Sequence, residues 1–168
     1  MQLKEIDKTS YRRHLNVVFA GIAVALIILT LGASTLYIHL LSTPQESHFF
    51  HNLAGVITAA GIVIYLLNKL RSHPYMHEVV YVWDLKQQLN RIHRKQRKIK
   101  AAVENNDHDA MIILNFQYRG SKQLYELDDN TITLDNLLGR IRVLEKRMKA
   151  AGLNTSTDAY EPSMLDRF

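Results

Sequence analysis

The chain of 168 residues contains no cysteine. Disulfides, thiolate metal sites and cysteine nucleophiles are therefore excluded. A second absence is local. No Asp, Glu, Lys or Arg occurs in Val17–Leu41 or in Phe49–Leu67, runs of 25 and 19 residues. Ion pathways and proton relays usually need a charged group inside a span, which argues against transport by these runs alone. The chemical motifs are missing as well: no glycine-rich phosphate loop, no His-Glu-x-x-His and no Gly-x-Ser-x-Gly is found. The carboxylates lie mainly at helix ends and turns, where caps and solvation account for them. The expectation is a non-enzyme with no catalytic residues, no cofactor and no metal.

What is present is apolar length. A bilayer core about 30 Å thick needs roughly 20 apolar residues at 1.5 Å rise each. Both runs reach that length without β-type alternation, so the chain reads as a two-span membrane protein with spans at about 17–41 and 49–70. A cleaved signal peptide fits the first run poorly. Gly32-Ala33-Ser34 resembles a small-residue cleavage site, but apolar sequence continues through Leu41, longer than a signal core. Lys4, Lys8, Arg12 and Arg13 precede the first span, and Lys69 and Arg71 follow the second, while the loop between them has neither Lys nor Arg. Lys and Arg stay on the cytoplasmic side, so both termini are expected there.

Helices associate in lipid through small residues and polar contacts. Gly21, Ala25, Gly32 and Thr35 form one such stripe in the first span, and Ala54, Thr58, Gly61 and Tyr65 another in the second. Gly55 and Ala59 are an adjacent small pair. These stripes are candidates for zipping the spans into a hairpin or for self-association.

The remainder predicts an all-α fold: a transmembrane hairpin over 1–73, an antiparallel cytoplasmic bundle or coiled coil of three helices over 74–153, and an extended tail over 154–168. Pro74 interrupts the second helix and starts the next, with Ser72 as a nearby cap. Val82, Leu85, Leu89, Ile92, Gln96, Ile99 and Val103 recur at alternating steps of three and four, a coiled-coil seam with one polar position. Asn105-Asn106-Asp107 ends that helix. A second runs from Asp109 to Leu127, with Gly120 as a weak point. Thr131 or Thr133 caps a third, whose seam is Leu134, Leu137, Ile141, Leu144 and Met148, and Gly152 suits a left-handed stop. Met164, Leu165 and Phe168 of the tail are able to dock on the bundle.

Within the soluble portion, Lys86, Arg91, Arg94, Lys95, Arg97, Lys98 and Lys100 form a run with no acid between Leu85 and Val103. Arg91, Arg94, Lys95 and Lys98 are the candidates for an anionic partner: lipid headgroups, an acidic protein or nucleic-acid phosphate. No aromatic is interleaved for base stacking, so nucleic acid is disfavoured. A solvated helix face explains the same run. His73, His77 and Glu78 share the spacing of a metal site, as do His48 and His51 near His39, but neither group supplies a third ligand at a fixed spacing. Tyr75, Tyr81 and Trp83 form an aromatic group after the second span.

Phe50 to Ile57, reading Phe-His-Asn-Leu-Ala-Gly-Val-Ile, and Met76 to Lys86, reading Met-His-Glu-Val-Val-Tyr-Val-Trp-Asp-Leu-Lys, resemble an uncharacterised family of bacterial two-span inner-membrane proteins, defined only as a domain of unknown function. The resemblance implies a bacterial inner-membrane location and carries no activity. The leading expectation is a non-enzymatic, membrane-anchored scaffold or adaptor. Its partners are the lipid bilayer and either a second copy or another protein bound through the cytoplasmic helices. An oligomeric channel and a lipid or nucleic-acid tether through the basic helix are the alternatives.

Overall fold

The computed structural model describes residues 2–43, 47–130 and 132–168. Helix covers most of them and no strand occurs among them. The elements run α1 Lys8–Leu41, α2 Phe49–Leu70, a 3-10 turn Pro74–Met76, α3 His77–Glu104, α4 His108–Leu127, α5 Leu134–Ala150 and a second 3-10 helix Pro162–Arg167. They fall into two compact units. One is Thr9–Val80; the other joins the N-terminal segment through Lys8 to Tyr81–Phe168. The first residues and the tail are thus grouped with α4 and α5.

In the Thr9–Val80 unit, α1 and α2 are long and apolar enough to cross a membrane. α1 has 34 residues, longer than its uncharged run because Lys8 to Asn16 are already helical. The two helices touch along a narrow seam. Ser34 of α1 lies so close to Gly55 that a Cβ there would sit 2.8 Å from the Ser34 nitrogen. Only glycine permits that approach. Ala59 and Val63 continue the seam, buried, and Tyr37 shares a 2.9 Å hydrogen bond with Thr58. In a solvent without hydrogen-bonding groups such a pair adds modest stability.

The turn between α2 and α3 is built on His73 rather than on the expected Ser72. His73 occupies the cap position, and its Nδ1 accepts from the Tyr75 N–H at 3.2 Å. Pro74 follows at the first helical position, where its missing N–H costs nothing. Glu78 accepts from Ser10 Oγ at 3.0 Å and pairs with His14 Nδ1 at 2.6 Å, while the His14 ring lies 4.0 Å from that of Tyr75.

The second unit owns the hydrophobic core. Val82, Leu85, Leu89, Ile92, Ile99 and Val103 are all buried along α3, and Gln96 is half-buried, its Nε2 donating to Gln117 Oε1. On α5, Leu137, Ile141, Leu144 and Met148 are buried. α4 is covered on more than one face. Every residue from Ala110 to Tyr118 except half-buried Ile112 is buried, because α3, α5 and the tail pack around it. Gly120 is no weak point here. A Cβ there would meet Leu89 Cδ2 at 3.1 Å and Leu85 Cδ1 at 3.2 Å, so the bare backbone lets α3 approach closely.

Turn chemistry closes the unit. Asp107 caps α4, its Oδ1 accepting from the Ala110 N–H at 2.9 Å. Asn106 and Asp129 take the left-handed conformation in the two connections, and Gly152 does so after α5. Thr133 stands at the α5 cap position without a side-chain cap bond; Thr131 lies outside the described residues.

Candidate functional site

The basic face of α3 is the strongest sequence candidate, and the C-terminal tail changes its meaning. The tail is not an extended strand of chain hanging free. Its Thr155 and Ser156 carbonyls accept from Asn115 Nδ2 at 3.0 and 3.2 Å. The Tyr160 ring stacks on Phe116 at 4.0 Å, and its hydroxyl accepts from the buried Gln88 amide. Leu165 is 1% exposed. Arg167 pairs with Asp107 and Asp109 at the start of α4. Burial raises the pKa of the Tyr160 phenol above its ordinary value, against the opposing effects of Gln88 and Arg91.

Two of the four named cations face this tail. Lys95 Nζ donates to the Leu165 carbonyl at 2.7 Å, and Lys98 Nζ to the Phe168 carbonyl oxygen at 2.6 Å. The charge of Arg91 acts on the Tyr160 phenol, opposing the rise in its pKa. Lys86 pairs with Asp128 at 3.1 Å. The set Arg91, Arg94, Lys95 and Lys98 is thus not one open patch: Lys95 and Lys98 are engaged by the chain itself. Arg94, Arg97 and Lys100 are exposed and make no hydrogen bond or ion pair within the described residues.

A second feature lies beside these cations. α3, α4 and α5 leave a groove of about 650 Å³. Its floor is Val103, Leu114, Tyr118 and Leu144, and its rim carries Lys100 and Arg140. Arg147 closes the end near Glu104: its Nη1 donates to the Val103 carbonyl at 3.1 Å and its Nη2 to Glu104 at 3.0 Å. The pair holds the Glu104 carboxyl below, and the Arg147 guanidinium above, their ordinary pKa values. Burial raises the Tyr118 pKa, and the positive charge of Arg140 opposes that shift. Periodicity identified the buried α5 positions, but the groove depends on how two helices diverge over a third, which no local pattern encodes.

The small-residue candidates separate cleanly. A Cβ on Gly21, Gly32 or Gly61 would meet nothing within 4 Å. Ala54 is exposed, Ala25 half-buried, and Thr58 half-buried in its bond to Tyr37. Within one chain the seam runs through Ser34, Gly55 and Ala59, with Thr58 beside it in its bond to Tyr37. In the second helix this is one residue away from the Ala54-Thr58-Gly61 stripe, because Gly55 permits the closest backbone approach. The histidine groups come no nearer to a metal site. His73 is used as a cap, Glu78 is bound to Ser10 and His14, and His48 bonds to Ser42 at 3.1 Å. No group of three His, Cys, Asp or Glu able to hold a metal ion is found among the described residues.

The family model described as "Protein of unknown function (DUF3087)" matches residues 1–165, and the chain belongs to that family. No curated protein and no solved structure matches it.

Proposed function

We propose that the protein is a non-enzymatic scaffold anchored in a bacterial inner membrane by α1 and α2, with both termini cytoplasmic and the α3–α5 unit presented there as an antiparallel bundle that binds a protein. One observation carries this reading. The most apolar windows of α1 and α2 are only 6% and 17% buried. A core helix of a soluble protein is mostly covered, and a continuous apolar surface of this length marks a membrane or a partner. The uncharged length fits too: the 25 residues of Val17–Leu41 span about 37 Å and the 19 of Phe49–Leu67 about 28 Å at 1.5 Å per residue. The distribution of Lys and Arg supports the orientation.

The test has two parts. Membranes washed at alkaline pH should retain the full chain. Reporter fusions after Phe168 should be active only in the cytoplasm, and those inserted between α1 and α2 only outside it. Release of the chain by the wash, or an external C-terminus, overturns the proposal. Crosslinking in cells followed by mass spectrometry then reads whether α3–α5 contact a second copy or another protein.

A further inference from the structure

The groove over α4 has the form of a helix seat. Its α5 wall runs from Asn136 to Arg147, with Arg140 and Val143 between them. Those eleven steps cover roughly 16 Å, about three helical turns. Val143 is 71% exposed although it stands over an otherwise buried apolar floor. Gly139 has open space where a side chain would be. Three helices around an open apolar channel leave the place of a fourth empty, and an amphipathic helix laid into such a channel is a recurrent recognition mode.

The charge decides which helix fits. Lys100 on one wall and Arg140 on the other are exposed and without an ion pair or hydrogen bond. Arg97 precedes Lys100 by one turn and is equally free. The acid on the groove, Glu104, is already held by Arg147. A ligand helix with basic flanks would meet like charge on both walls, and one with acidic flanks would meet opposite charge on both.

We infer that the α3–α5 groove binds an amphipathic helix of a partner protein, with apolar residues toward Val103, Leu114 and Tyr118 and Asp or Glu toward Lys100 and Arg140. This inference rests on the scaffold reading and names its partner class. The tail does not compete for the seat, since its contacts named above run to other residues of α3 and α4.

The experiment uses the full chain in zwitterionic lipid nanodiscs. The probes are fluorescent, stapled amphipathic helices of about four turns, of the kind known to fill helix grooves. One has a Leu stripe flanked by Glu; its counterpart carries Lys instead. The Glu helix should bind saturably and weaken with salt, and the Lys helix should bind at least tenfold more weakly. A Cβ at Gly139 meets nothing within 4 Å, so Gly139→Leu puts a side chain at the groove, and it should weaken the Glu helix at least tenfold without lowering the unfolding temperature. The double change Lys100→Glu and Arg140→Glu should reverse the preference between the two helices. Equal binding of both helices, no binding of either, or affinity untouched by Gly139→Leu overturns the inference. So does a laurate probe that occupies the groove while the Glu helix does not, which would make it a lipid site. Reporter fusions showing an external C-terminus would leave these binding results standing and sink only the anchor orientation.

Discussion

The two units use the same apolar residue types and treat them in opposite ways. Among the described residues, nineteen of the twenty-two exposed large apolar side chains lie on α1 and α2, and only Trp83, Ile132 and Val143 lie elsewhere. In the α3–α5 unit, Ile92, Ile99 and Ile113 are fully buried. On α3 and α5, apolar residues recur at helical spacing between charged ones, so each of these helices can bury one face and hydrate the other. On α1 and α2 they occur all round, so a single contact seam leaves most of them uncovered. The comparison teaches that the spacing of polar residues, more than apolar content, determines whether a helix closes a core or leaves its apolar surface uncovered.

The sharpest way to break the comparison is to make one substitution in both places. Ile92→Ala or Ile99→Ala removes side chains that are 0% exposed and should cost about 2–5 kcal/mol each. Ile28→Ala on α1, where the residue is 64% exposed, should leave the unfolding temperature in detergent nearly unchanged. Equal losses at both sites would mean that α1 has a buried partner after all.

Next in size is the pair of glycines on α2. Gly55→Leu drives a side chain into the Ser34 backbone and should destabilise the α1–α2 contact by about 1–3 kcal/mol. Gly61→Leu meets open space and should be silent within one chain. If Gly61→Leu instead dissociates an oligomer in chemical crosslinking, the unused stripe is an interface between copies.

Much of this organisation is legible in the sequence, because helices report their periodicity locally. Alternating steps of three and four located the α3 and α5 seams, and Gly152 announced its left-handed turn. What the sequence left open were choices among equivalent local patterns. Two overlapping small-residue stripes on α2 offer the same spacing, and only the approach of Ser34 selects Gly55 and Ala59 over Ala54 and Gly61. Ser72 and His73 are both able to cap at Pro74, and backbone geometry selects the histidine. The apolar end of the tail was legible as able to dock, and Leu165 is buried; its polar anchors were not. Its anchors, Gln88 and Asn115, are polar residues inside apolar faces, and sequence alone does not say what satisfies them. A clue existed in α4: a stretch from Ala110 to Tyr118 that is apolar on every side needs cover on every side.

That tail supplies the next test. Asn115→Ala leaves the Thr155 and Ser156 carbonyls and the Arg119 guanidinium without their shared partner. The expected loss is about 1–3 kcal/mol, with the residues after Asn154 becoming protease-sensitive while α3 to α5 stay protected. Cleavage throughout the unit would show that the tail is integral to the core.

The smallest effects are electrostatic and come with a sign. The Tyr160 pKa is raised above 10.0 in the folded chain by burial. Its contribution is therefore fully present below pH 10.0 and is lost as the pH climbs through the folded value. Tyr160→Phe should flatten that alkaline decline, at the cost of the Gln88 bond at neutral pH. Glu104 behaves in the opposite sense. Its pKa is lowered by Arg147, first through the hydrogen bond and then through charge, so its contribution is present above the ordinary carboxylate value and lost as the pH falls through the folded one. Because Glu104 is exposed, Glu104→Gln should produce the smallest stability change of all, and salt should erase it. It should still act on the groove: removing the carboxylate leaves the Arg147 charge unneutralised at the closed end while Nη1 keeps its bond to Val103, and the Glu-flanked helix should then bind more tightly than to the unaltered chain.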